Sequence, residues 1–98
     1  MDEHELIRIE LICSSYNIEP SFIDSLLDFG LIEITELESQ RFIPTQRLVD
    51  LEKMIRLHYD LNINLEGIDT ILHLLNRIRE LQDELNNVKN KMLFYNME

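Results

Sequence analysis

Glu19-Pro20-Ser21-Phe22-Ile23-Asp24-Ser25-Leu26-Leu27-Asp28-Phe29-Gly30 is the stretch on which the fold turns. Proline fits the first position of a helix, where its missing N–H would have had no intrahelical partner, so Pro20 marks a start. Phe22, Ile23, Leu26, Leu27 and Phe29 supply an apolar face, and Gly30 stands where a left-handed residue ends a helix. Upstream, Glu10 to Tyr16 reads as a brief helix, interrupted by Asn17-Ile18-Glu19-Pro20. Two short helices across a tight turn make a helix-turn-helix. In front of them Glu5 to Ile9, with Leu6, Ile7 and Ile9, reads as a short strand.

Downstream, Leu31 to Glu36 alternates apolar and polar side chains from Ile32 to Thr35, as a half-buried strand does. Arg41-Phe42-Ile43 can return antiparallel after Leu37-Glu38-Ser39-Gln40, which would make a wing. Pro44 closes that strand, and Thr45 is placed to cap a helix from Gln46 to about Leu61. Its buried stripe is expected at Leu48, Leu51, Met54, Ile55 and Leu61. Asn62 can then turn left-handed and Asn64 can cap a last helix from Leu65 to about Tyr95, in which Gly67 marks a close approach.

That last helix carries heptads. With Ile71, Ile78, Leu85 and Met92 at position a, Leu74, Leu81, Val88 and Tyr95 fall at d, so each core position is apolar over nearly four repeats. A stripe of about 25 residues spans roughly 37 Å, more than a small winged domain covers, and the excess needs a partner helix. Arg77, Glu84 and Lys91 at g with Gln82 and Lys89 at e are of mixed sign, which permits self-pairing into a homodimer. Residues 1–64 thus form a winged helix-turn-helix domain, and residues 65–98 a C-terminal helix and coiled-coil dimerisation segment. The fold class is mainly α with a small β wing.

Charge narrows the function. In 98 residues, nine Lys and Arg face nineteen Asp and Glu, a formal net charge of −10, which argues against a conventional nucleic-acid binder. Up to Gln40 ten acidic residues face Arg8 alone, giving −9, whereas from Arg41 onward nine acidic and eight basic residues give −1. Such asymmetry within one small domain points to a face for a cationic partner, or else to a solvated acidic surface that keeps the protein soluble. The apolar fraction of 45% is enough for a packed core, yet no run approaches the roughly 20 apolar residues of a membrane span. The acidic start, Met1-Asp2-Glu3-His4-Glu5, is unlike a secretory signal, and a single cysteine fits a reducing compartment, so the expectation is cytoplasmic.

Catalytic and metal chemistry find little support. His4, His58 and His73 lack zinc-site spacing, and Cys13 has no companion. Cys13 is expected to be a small buried apolar side chain, His58 a partly buried packing residue and His73 a solvated one. Both glycines are isolated, so no phosphate loop is formed, and a crowd of carboxylates is not an acid–base pair. Neither enzyme activity nor a cofactor is expected; Met54 and Met92 sit on apolar stripes and need none.

The order strand, helix-turn-helix, wing, helix and terminal coiled coil resembles the MerR-type winged-helix regulators. The residues that carry the likeness run from Ile18 through Leu31-Ile32 and from Leu57 to Ile68. Glu10-Leu11-Ile12-Cys13, Asp28-Phe29-Gly30-Leu31-Ile32-Glu33, Ile55-Arg56-Leu57-His58-Tyr59-Asp60-Leu61 and Glu66-Gly67-Ile68 resemble, over essentially the whole chain, one offshoot: the bacterial chaperone modulators. This resemblance implies a protein that binds the J-domain of the curved-DNA-binding type of co-chaperone and inhibits both its stimulation of Hsp70 and its DNA binding. The MerR resemblance implies antiparallel pairing of the long helices.

The residues themselves separate the two relatives. MerR regulators carry Arg and Tyr on the second helix and basic contacts on the wing; here Asp24 and Asp28 occupy that helix, and the hairpin offers Glu33, Glu36 and Glu38 with only Arg41. DNA carries one negative charge per ~1.7 Å of axis and is held by Lys and Arg, so this surface repels it. A J-domain, by contrast, has a second helix rich in Lys and Arg that docks on Hsp70. Glu19, Asp24, Asp28, Glu33, Glu36 and Glu38 are therefore the candidate partner-binding carboxylates, denying that helix to Hsp70. The alternative is a MerR-type DNA-binding transcriptional regulator. No membrane partner is expected.

Overall fold

In the computed structural model residues 5–96 are described. Of the acidic start, residues 1–4, His4 among them, lie outside these. The elements run β1 (Leu6–Arg8), α1 (Ile9–Tyr16), α2 (Pro20–Asp28), β2 (Thr35–Leu37), β3 (Gln40–Pro44), α3 (Leu48–Ile55) and α4 (Leu65–Asn96). A 3₁₀ turn, Thr45–Arg47, leads into α3 and a π turn, Arg56–Asp60, leaves it. This is mainly α with a small β wing, as the periodicities indicate.

The two first helices end alike. Asn17 closes α1 at φ 56° and Gly30 follows α2 at φ 72°, each in the left-handed region. Beyond α2 the Leu31 N–H donates to the Leu26 carbonyl (2.9 Å) and the Gly30 N–H to that of Leu27 (3.0 Å), a Schellman closure that satisfies otherwise orphaned carbonyls. Beyond α1 the Ile18 N–H reaches the Cys13 carbonyl at 3.0 Å in the same way, and buried Ile18 is turned inward before Pro20 starts α2.

β3 is the middle strand of a three-stranded antiparallel sheet, with β1 on one side and β2 on the other. Ile7 faces Ile43 across one ladder, and Glu36 faces Arg41 across the other. The hairpin differs from the expected one: Leu31 to Ile34 form no strand, and β2 begins only at Thr35. Ile32 is buried and Ile34 half-buried all the same, so the alternation reports burial of a strap over the core rather than ladder pairing. The turn itself uses Glu38 (φ 50°) and Ser39 (φ 66°), both left-handed without the Asn-Gly signature that usually marks such a loop.

The third helix also departs from expectation. Thr45 does not cap it; the Thr45 N–H donates instead to the Glu5 carbonyl (3.1 Å), tying the chain entering β1 to the end of β3, and the α-helix starts at Leu48. At the far end the π turn inserts a residue, which rotates the chain beyond it and takes Leu61 off the stripe to 63% exposure. Phe29, expected on the buried face of α2, lies past the helix end and is exposed. The core that results joins Ile9, Ile12 and Cys13 of α1, Phe22, Ile23 and Leu26 of α2, Ile43 of β3, Leu51, Met54 and Ile55 of α3, and Ile68.

Residues fall into two compact units that divide between Ile68 and Asp69. At the end of the first, Asn62 is left-handed (φ 58°) and the Asn64 side chain accepts the Gly67 N–H at 2.8 Å, capping α4. A Cβ on Gly67 would lie 2.6 Å from Ile63 Cγ2 and 3.2 Å from Asn64 Oδ1. The second unit continues α4, a single helix of 32 residues in all. Gly67→Ala therefore sets about 1 kcal/mol of gained helix propensity against a clash that costs about 1–3 kcal/mol. The clash should win, and thermal denaturation should show a lower midpoint for the variant.

Candidate partner-binding face

All six candidate carboxylates, Glu19, Asp24, Asp28, Glu33, Glu36 and Glu38, are exposed. They do not form one patch of equals. Arg41 of β3 donates to Asp24 Oδ1 of α2 at 2.8 Å and also sits opposite Glu36 of β2 in the ladder. The wing's basic side chain is thus committed to a carboxylate of its own chain, with a second one opposite it in the ladder. Glu19 belongs elsewhere: its backbone N–H donates to the Tyr59 hydroxyl (3.4 Å), and the Ser21 hydroxyl donates to Glu19 Oε2 (3.5 Å). Among the described residues Asp28 and Glu38 engage no side-chain partner.

Asp28 is the informative one. It stands in the last turn of α2, where carbonyl ends make the helix partially negative and where no basic residue offsets it. A carboxylate there opposes the dipole at a cost of about 0.3–1 kcal/mol. Folding gains nothing from it.

Beside this face, the aromatic rings of α2 and the π turn pack together. Phe22 stacks on His58 (centroids 4.7 Å) and meets Tyr59 edge-on at 5.3 Å. His58 Nδ1 donates to the Ile63 carbonyl at 3.0 Å, so this partly buried histidine packs and bridges, while His73 is exposed on α4 beside Asp69. The π turn brings His58 and Tyr59 to Phe22, a grouping that the uninterrupted helix expected from sequence would have hidden. Among the described residues no three His, Cys, Asp or Glu side chains are grouped to hold a metal ion, and no helix is long and apolar enough to cross a membrane.

Cys13 is buried, and burial pushes its thiol above the ordinary range. Arg41, far away in sequence but close in space, pulls the other way and loses; Asp24 adds to the rise. Tyr16 is likewise raised, chiefly because its hydroxyl donates to the Glu52 carboxylate.

On α4 the a and d side chains stand in water within the single chain. Ile71 is half-buried, whereas Leu74, Ile78, Leu81, Leu85, Val88, Met92 and Tyr95 are 47–73% exposed. Sequence reading missed Arg47 and Asp50, which lie with Glu33 around a cavity next to the wing; both belong to the near-neutral C-terminal portion, and no local spacing connects them with Glu33.

A helix-turn-helix followed by a β hairpin and a long terminal helix defines the winged-helix class of regulators. The chain belongs to the MerR HTH family regulatory proteins, whose profile matches residues 5–90. Among curated proteins it is similar to the chaperone modulatory protein CbpM of Pseudomonas entomophila (strain L48), 21% identical over 87 residues that cover 88% of this chain and 86% of that protein. No solved structure matches. Both descriptions are those of regulatory proteins rather than enzymes.

Burial and a raised thiol make Cys13 a poor nucleophile. Its modification by a thiol-specific reagent near pH 8 should follow the rate of unfolding rather than of free-thiol chemistry; labelling as fast as a model thiol under native conditions would contradict the packing described here.

Proposed function

We propose that this protein is a chaperone modulator that binds the basic face of a J-domain co-chaperone, inhibiting both its stimulation of Hsp70 and its DNA binding, and that it acts as a cytoplasmic homodimer joined through α4. The observation that carries the reading is the commitment of Arg41 to Asp24 at 2.8 Å, while between Ile9 and Gln40 every charged side chain is a carboxylate and exposed. Among the described residues the β2–β3 hairpin of this scaffold has no cation other than Arg41, and duplex DNA, at one charge per ~1.7 Å, would be repelled by the carboxylates around it. A helix rich in Lys and Arg would be attracted, and steered to this face before contact. The cost that Asp28 imposes on α2 is repaid only if a cation arrives from outside. The similarity to a protein named a chaperone modulator supports the same partner class.

Asp24 is a poor probe of the face, because Lys at that position would confront Arg41 and disturb the fold. Asp28→Lys with Glu38→Lys leaves that pair intact, since neither carboxylate has a side-chain partner among the described residues. Isothermal titration calorimetry against the J-domain of the organism's own co-chaperone should show binding weakened at least about tenfold, from two reversed exposed charges at up to ~1 kcal/mol lost and as much again in repulsion. Its dependence on salt should flatten. Unchanged affinity would mean that the partner lies on another face.

The family's description as a regulatory protein with a helix-turn-helix favours a second reading, a DNA-binding transcriptional regulator. A gel shift with genomic fragments at physiological salt decides between them, since specific retention of DNA without retention of any J-protein would replace the first reading by the second.

The α4 stripe supports the dimer: a helix with a and d side chains in water gains by burying them on a second copy. Light scattering after gel filtration should give twice the chain mass at micromolar concentration, and Leu81→Asp with Leu85→Asp should give the monomer. A wild-type monomer would refute the assignment.

A further inference from the structure

A cavity of about 340 Å³ opens beyond the C-terminal end of α2. The strap at residues 30–33, the end of β3 and one side of α3 wall it. Its surface is amphipathic. Ile32, Ile43 and Met54, all buried, supply apolar atoms, while Glu33 and Asp50 are exposed carboxylates at its edge. One further feature makes it electronegative: the partial negative charge where α2 ends beside Gly30, which itself lines the cavity. One group opposes this. Arg47, itself mostly in solvent, approaches Asp50 at only 3.8 Å. Glu33 has no ion-pair partner among the described residues.

An anion would meet two carboxylates and a helix C-terminus here. A wholly apolar side chain would strip water from the same groups with no compensation. What fits both halves of the surface is a side chain with an aliphatic stem and a cationic head, which lays its methylenes on apolar atoms and keeps its charge at the edge. We propose that this cavity receives a lysine or arginine side chain of the basic polypeptide partner, its stem on Ile32, Ile43 and Met54 and its cationic head at Glu33 and Asp50, with Arg47 displaced. The proposal rests on the reading of the acidic face as the seat of a basic protein, and adds the apolar contact that exposed ion pairs, at about 0.2–1 kcal/mol each, cannot supply.

The cavity can be tested without the co-chaperone. Nα-acetyl-arginine methylamide and its lysine counterpart, titrated into the ¹⁵N-labelled full chain, should shift amide signals clustered at Gly30 to Glu33, Ile43, Arg47 and Asp50 and saturate in the millimolar range. The uncharged norleucine counterpart should not. Glu33→Gln, an exposed change that leaves folding intact, should weaken the cationic probes about two- to fivefold, and Arg47→Gln should tighten them about twofold. A merely structural Arg47 would not give that gain, and Glu10→Gln controls for net charge. Shifts that are absent, scattered, equal for norleucine or indifferent to both substitutions overturn the assignment. A calorimetric arm separates the two claims. If the probes map to the cavity but the J-domain gives no heat with the wild type, the co-chaperone reading falls and the cavity stands. If the J-domain binds wild type, Glu33→Gln and Arg47→Gln equally, the partner does not use the cavity and the assignment falls while the acidic face stands.

Discussion

The first unit depends on β3 being paired along both edges. With β1 on one side and β2 on the other, its Ile43 is driven to 1% exposure under the helices, and Arg41, two residues earlier and so on the same face, lies half-buried at the margin of that face. One face of the strand thus carries both a core residue and the cation that Asp24 of α2 meets, with Glu36 of β2 opposite it in the ladder. A slip of one residue would turn both to the other face, exposing Ile43 and taking Arg41 away from Asp24. The Thr45 N–H bonded to the Glu5 carbonyl secures the open end of the ladder.

From that register comes the electrostatic character of the unit. The pair between Arg41 and Asp24 is partly exposed and contributes little to stability. Its consequence is subtraction: it occupies the hairpin's one cation and leaves Asp28, Glu33, Glu36 and Glu38 without an ion-pair partner among the described residues. Asp28 sharpens the contrast, since it sits where a helix would prefer a cation. Charge of this kind governs encounter and register, whereas tight association also needs apolar area withdrawn from water. The cavity under the strap offers such area next to Glu33, and so does the exposed apolar stripe of α4.

Local signals served best where a single residue type has few alternatives. Pro20 and Gly30 bound α2 because one lacks an N–H and the other tolerates φ 72°, and Asn62 and Asn64 mark the turn into α4 for similar reasons. They served worst where two causes leave the same trace. Ile32-Glu33-Ile34 alternates because a strap packs one side on the core, and nothing local distinguishes that from a ladder. The helix expected from Gln46 to Leu61 contains no breaker, yet it is divided by a 3₁₀ turn and a π turn, since packing of Phe22 on His58 and Tyr59 outweighs helical regularity. The six carboxylates were legible as charges; that one is paired, one is tied by its backbone to Tyr59 and one borders a cavity was not.

The sequence by itself determined the class of the molecule: punctuation by Pro20 and Gly30, an acidic first portion and an apolar heptad stripe are properties of composition and spacing, and they need no coordinates. Only the tertiary structure decided which charges remain available, because Asp24 and Arg41, or Glu33 and Asp50, lie seventeen residues apart in the chain and are brought together solely by β3 folding back beside α2 and α3. Periodicity records which side of an element is buried; it carries no record of what stands opposite.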